Sequence, residues 1–190
     1  CTPDQETFRR LFAKDQSSSR LNGEGSVVWL ILDGRHHVRQ TPSFLTGPCL
    51  REYELQTNAK LGLWVHRGLP ILNQDLTTIR STLGSLADVF ADDRPIYWGP
   101  ELFQMTAEQL ARQNPAAAEW FDREAAAACL LIRKEHGVNG WRQFVQRPDP
   151  AAIGRTGWAD FNTVFKRFMT NLSRDIRSGA TPDHYLTWKY

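Results

Sequence analysis

The chain has 190 residues, 41% apolar and 23% charged, which is enough for one domain with a real core and places it with ordinary globular rather than disordered chains. Twenty-three basic residues against 21 acidic give a formal net charge of +2, with no basic block, so nucleic acid is not an expected partner. No apolar run approaches bilayer length, so no transmembrane segment is expected.

In chain order, residues 3–14 are predicted as a short helix capped by Thr2, with Pro3 in its first turn. Residues 16–25 form a polar loop. Residues 26–33 (SVVWLILD) carry the clearest strand signal, β-branched and apolar on both faces. Asp33-Gly34 marks a turn, and residues 35–40 are expected to return as a second, more polar strand. Thr46-Gly47-Pro48 opens a predicted helix over 49–61. After Gly62, residues 63–73 carry Trp64 and Leu69. Leu76, Ile79, Leu83, Leu86 and Phe90 keep helical spacing, which predicts a helix over 75–90. Residues 96–98 are a short extended piece.

Thr106 with Gln109 forms a capping box. Asn114-Pro115 starts a long helix expected to end at Gly137, and its small Ala125–Ala128 run invites another helix to approach closely. Asn139 caps a short helix with Trp141 and Phe144, and 148–157 is a loop. Phe161, Phe165, Phe168, Leu172 and Ile176 mark a last helix closed by Gly179. Nothing splits the chain, so a single domain over 1–190 is expected. It comprises an N-terminal helix and loop (1–25), a core (26–177) and an extended tail (178–190). The expected fold is α+β, a mainly helical body packed on a small β-sheet that includes residues 26–33.

The chain begins with Cys1. If a precursor was processed there, the pattern is that of an exported or periplasmic lipoprotein, with a lipidated Cys1 as its membrane link. Cys49 and Cys129 then make an even pair able to form one disulfide; otherwise the location is cytoplasmic.

The five histidines show no i, i+4 pair of the kind that sets two imidazoles around a metal on one helix face. His36 and His37, on the expected strand, point to opposite faces. His136 falls in the last turn of a helix, where a histidine favours the dipole. There is no C-x-x-C, no G-x-x-x-x-G-K, no G-x-G-x-x-G and no G-x-S-x-G. Glu52 and Glu54 are near in sequence but do not face each other on a helix.

The segment Leu63-Trp64-Val65-His66-Arg67-Gly68-Leu69 resembles the L-W-x-x-E-G-L stretch of gluzincin-type zinc peptidases, the peptidase-MA-like group. In that family the Glu is the third zinc ligand. Upstream, Tyr53-Glu54-Leu55-Gln56-Thr57 falls where the H-E-x-x-H helix belongs. Downstream, AAAACLLIRKEHG (125–137), GWRQF (140–144) and residues 157–174 resemble the later helices. The resemblance implies a zincin-like core over 26–177 that lacks its zinc ligands. Tyr53 and Thr57 stand for the two histidines and Arg67 for the Glu ligand, while Glu54 alone matches, as a vestigial general base. A guanidinium cannot bind a cation, so no metal is expected there. An ion pair between Glu54 and Arg67 is expected to close the old site.

The reading this favours is a non-catalytic, pseudo-peptidase binding or scaffold protein with no cofactor and a protein or peptide partner. Its residual binding surface is Tyr53, Trp64, His66 and Arg67. One alternative is an active metal-dependent hydrolase whose zinc is held by His66 with His36 or His37, and Glu54. Another is an interaction module or assembly subunit without enzyme ancestry, using Trp98, Trp188 and Tyr190.

Overall fold

A computed structural model describes residues 19–21, 28–30, 37–87 and 97–179, with side chains from residue 46 onward. The expected N-terminal helix, the tail and His36 lie outside the described residues. Strand β1 (Ser19–Leu21) pairs antiparallel with β2 (Val28–Leu30), placing Ser19 opposite Leu30 and Leu21 opposite Val28.

The remaining described residues are helical or connecting, so the expected α+β, zincin-like architecture is corrected to an all-α body. A pair of three-residue strands is too short to offer a face on which helices could pack. The second strand expected over 35–40 is also corrected: α1 runs unbroken from His37 to Thr57. Pro42 and Pro48 each remove a backbone donor, yet neither ends it, so tertiary context overrides the local signal that placed the helix start near residue 49.

A short turn leads to α2 (Leu63–Leu72), against which α1 packs. Helix α3 (Leu76–Gly84) starts at Asp75, whose carboxylate accepts the N–H groups of Thr77 and Thr78, and it tightens into a 3₁₀ turn at Ser85–Ala87. The helix expected to reach residue 90 therefore loses α geometry at Gly84. Helix α4 (Gly99–Gln104) and α5 (Ala107–Ala111) are short, and α5 opens with the predicted Thr106–Gln109 capping box, both halves of it formed.

Helix α6 (Pro115–Gln146) is the axis of the domain. Asn114 caps it through the Ala117 N–H, and Gly137 breaks it with φ +62°, the left-handed geometry that favours glycine. A 3₁₀ turn (Pro150–Ile153) within the expected loop leads to α7 (Trp158–Arg177), and Gly179 follows at φ +74°.

Helix α6 is buried almost all round between Phe121 and Ile132, the signature of a central helix. Its most extensive contact is with α2. There the small alanines do what their size suggests. A Cβ added at Gly68 would stand 2.6 Å from both the carbonyl carbon and the oxygen of Ala125, so the two backbones meet through glycine and alanine. An aromatic cluster fills the end of the core. Phe103 meets Trp64, Phe144 and Phe161 edge-on, with ring centroids 5.1, 4.9 and 5.2 Å apart.

Candidate functional site

The α1–α2 corner carries the residues that the sequence singles out. Helix α1 ends at Thr57, with Asn58 following at φ +51°, and the chain re-enters a helix at Leu63. That turn leaves the Leu61 N–H in need of an acceptor. Glu54 supplies it: Oε1 accepts from Leu61 N at 2.8 Å and stands 3.2 Å from His66 Nε2. One carboxylate oxygen thus ties the end of α1, the turn and the first turn of α2 together. Thr57 donates its hydroxyl to the Tyr53 carbonyl, a local helix bond. Tyr53 is half-buried against the core.

Arg67 does not meet Glu54. It turns to α6, where Nε and Nη2 donate to the two oxygens of Asp122 at 2.7 and 2.8 Å, a bidentate pair. The expected Glu54–Arg67 closure is therefore corrected. Successive helix positions are turned by about 100°, so His66 and Arg67 serve different neighbours. Burial leaves the Asp122 pKa raised, and Arg67 offsets only part of that rise. Trp64 is fully buried, and its ring faces Phe103, Trp141 and Phe144 rather than solvent. It is a core anchor.

The proposed metal set is only partly assembled. Glu54 and His66 are in contact, but His37 opens α1, seventeen residues before Glu54, or about 25 Å along a helix axis. Among the described residues, no three His, Cys, Asp or Glu side chains gather in metal-binding proximity. Cys49 is exposed on α1 and Cys129 is buried in α6, and each is a free thiol, not the disulfide that an exported chain could form between them. Burial pushes the Cys129 thiol well above its usual range. His136, in the turn before Gly137, has its pKa lowered, chiefly by burial. Trp98 is half-buried, while Trp188 and Tyr190 lie outside the described residues.

Sequence reasoning did not identify two features. The first is an open hollow of about 250 Å³ between α2, α5 and α6, lined by Leu63, Arg67, Ala107, Leu110, Ala111 and Ala118. Its walls are leucine and alanine side chains together with that of Arg67, the partner of Asp122. The second is Glu124, a fully buried carboxyl on α6. Oε2 accepts from Tyr97 N at 2.8 Å, while Oε1 has no partner among the described residues. Burial, with a smaller contribution from Glu101, pushes its pKa up to about 8 against the lowering effect of the Tyr97 N–H. Burial and the same carboxylates raise Tyr97 in turn. Neither feature has a signal in the sequence: the hollow is a relation among three helices, and Glu124 sits in a run of alanines that reads equally well as an exposed face.

Among the described residues, no helix is long and apolar enough to cross a membrane. No protein-family model, curated protein or solved structure matches this chain.

Proposed function

We propose that this chain is a non-catalytic binding or scaffold domain, and that the hollow between α2, α5 and α6 receives an apolar side chain from a partner protein. The observation that carries this reading is the contrast between two neighbouring surfaces of α2. On one, the polar groups expected to do chemistry hold the fold together instead. Glu54 engages Leu61 and His66, and Thr57 engages Tyr53. On the other lies an open apolar hollow with Ala107 and Ala111 exposed on its wall.

A volume of 250 Å³ is below the roughly 300–1,000 Å³ of small-molecule pockets, which favours a side chain over a free ligand. Anchoring one apolar group inside a polar rim is how protein interfaces concentrate their binding energy. Peptidase ancestry enters this proposal only through the order of α1 and α2, since the sheet it requires is not part of the helical body.

Site-specific photocrosslinking in extracts of the cells that make the protein tests the proposal. A crosslinker placed at Ala111 is expected to capture a discrete partner, and Ala118→Trp, which fills the hollow, is expected to abolish the adduct. The same probe at Ala159, exposed on α7, serves as the control. An Ala111 adduct indifferent to the filled hollow, or no adduct at all, would overturn the reading.

A further inference from the structure

Among the described residues, two large apolar side chains are exposed, Leu55 at 72% and Leu76 at 47%. Leu55 lies on the last turn of α1, one residue after Glu54. Successive helix positions are turned by about 100°, so Glu54 reaches Leu61 and His66 while Leu55 is left standing in solvent. A lone exposed leucine is ordinary on a protein surface. This one shares the α1–α2 corner with an open hollow whose chemistry suits it. Leu63, the first residue of α2, is in the wall of that hollow, two residues beyond the Leu61 N–H that Glu54 accepts. Knob and hollow therefore belong to the same end of the molecule.

The charges beside them are opposite in sign and similarly spaced. Arg51 is exposed on α1 one turn before Leu55, a separation that puts two helical side chains about 5–6 Å apart. Glu108 is exposed on α5, three residues before Ala111 in the wall of the hollow, which gives about the same separation. Neither Arg51 nor Glu108 has a side-chain partner among the described residues. Leu76 lacks this match: the residue before it is Asp75, an acid like Glu108.

We propose that the occupant of the hollow is Leu55 of a second copy of this chain, with Arg51 of that copy set against Glu108. This rests on the hollow receiving an apolar side chain from a partner, and it identifies that partner. A two-fold axis makes the contact reciprocal: each copy inserts its own Leu55 and receives the other's, so one complementary pair of features supplies two contacts. Such closure requires knob and hollow at one end of the chain, as they are here. Head-to-tail insertion would leave one knob and one hollow open at the ends of the assembly, whereas the two-fold pair leaves neither.

The test is sedimentation equilibrium of the purified full chain at concentrations up to about 1 mM, where even a weak pair associates. A monomer–dimer equilibrium is expected, and a crosslinker at Ala111 is expected to join the two copies at the end of α1. Leu55→Glu changes an exposed residue, so it is expected to fold normally by circular dichroism and to weaken the dimer about tenfold or more. Arg51→Glu and Glu108→Arg are each expected to weaken it, and the two combined in one chain to restore it, which a general loss of structure would not do. A chain that stays monomeric overturns the proposal, as does a dimer that Leu55→Glu leaves unchanged, or a combined charge variant no tighter than either single one. A monomeric purified chain whose Ala111 probe still captures a different protein from extracts, blocked by Ala118→Trp, removes the second copy alone and leaves the role of the hollow standing. No capture in either setting removes both.

Discussion

Arg67 holds both oxygens of Asp122 across the α2–α6 crossing, at 2.7 Å through Nε and 2.8 Å through Nη2. The residue that the gluzincin resemblance places at a metal ligand is thus a fastener between two helices. Its side chain is 45% exposed, so solvent screens the pair, and a double-mutant cycle is expected to return about 1 kcal/mol or less. The clearer readout is titration. Arg67 holds Asp122 down against the upward effect of burial, so Arg67→Ala is expected to move the Asp122 carboxyl titration, followed by NMR, to higher pH. An unmoved titration would mean that the pair is not formed in solution.

The crossing of α2 over α6 has no room for a side chain at Gly68. Gly68→Ala puts a methyl 2.6 Å from backbone atoms of Ala125, which cannot rotate away, so the helices must separate. A loss of about 1–3 kcal/mol is expected in urea unfolding. Gly47, inside α1, is the internal comparison: a Cβ there meets nothing within 4 Å. Gly47→Ala is expected to be neutral or to stabilise by up to about 1 kcal/mol, through helix propensity alone. Equal effects at the two positions would contradict the close approach of the helices.

Glu124 makes stability depend on pH. Its ordinary value is 4.5 and burial raises it to about 8, so the folded protein holds this proton more tightly than the unfolded chain does. The stability this contributes is complete below about pH 4.5 and is lost as pH rises through 8, by an amount on the order of a few kcal/mol. Glu124→Gln keeps an acceptor for the Tyr97 N–H and removes the ionisation. Unfolding free energies at pH 5 and pH 9 are expected to differ less in the variant than in the native chain. An identical difference in both proteins would show that Glu124 ionises freely in the folded state.

Much of the helical framework is legible locally. The Thr106–Gln109 box, the Asn114 cap, the break at Gly137 and the amphipathic spacing of α7 are each written within a few residues, and each is present. The alanine run also foretold a close contact, though not that Gly68 would make it. Where sequence reasoning failed, longer-range effects decided. The Asp33-Gly34 turn signal and the Thr46-Gly47-Pro48 opening argued for strand and then a late helix start, yet α1 runs from His37. The site was legible only as a set of unusual residues. Glu54 and His66 are twelve positions apart and do meet, but Arg67 takes a partner 55 positions away, which no spacing rule indicates.

The claim that the Glu54–His66 corner is a structural tie rather than an active centre is tested most directly by metal analysis. Zinc content would be measured by mass spectrometry on protein purified without chelator, before and after added zinc, in the native chain, Glu54→Gln and His66→Ala. The account predicts no tightly bound equivalent in any of the three. It also predicts a lower melting temperature in both variants, because Leu61 and α2 lose their tie to α1. One zinc equivalent in the native chain that both variants lose would contradict it, and would make the corner a metal centre.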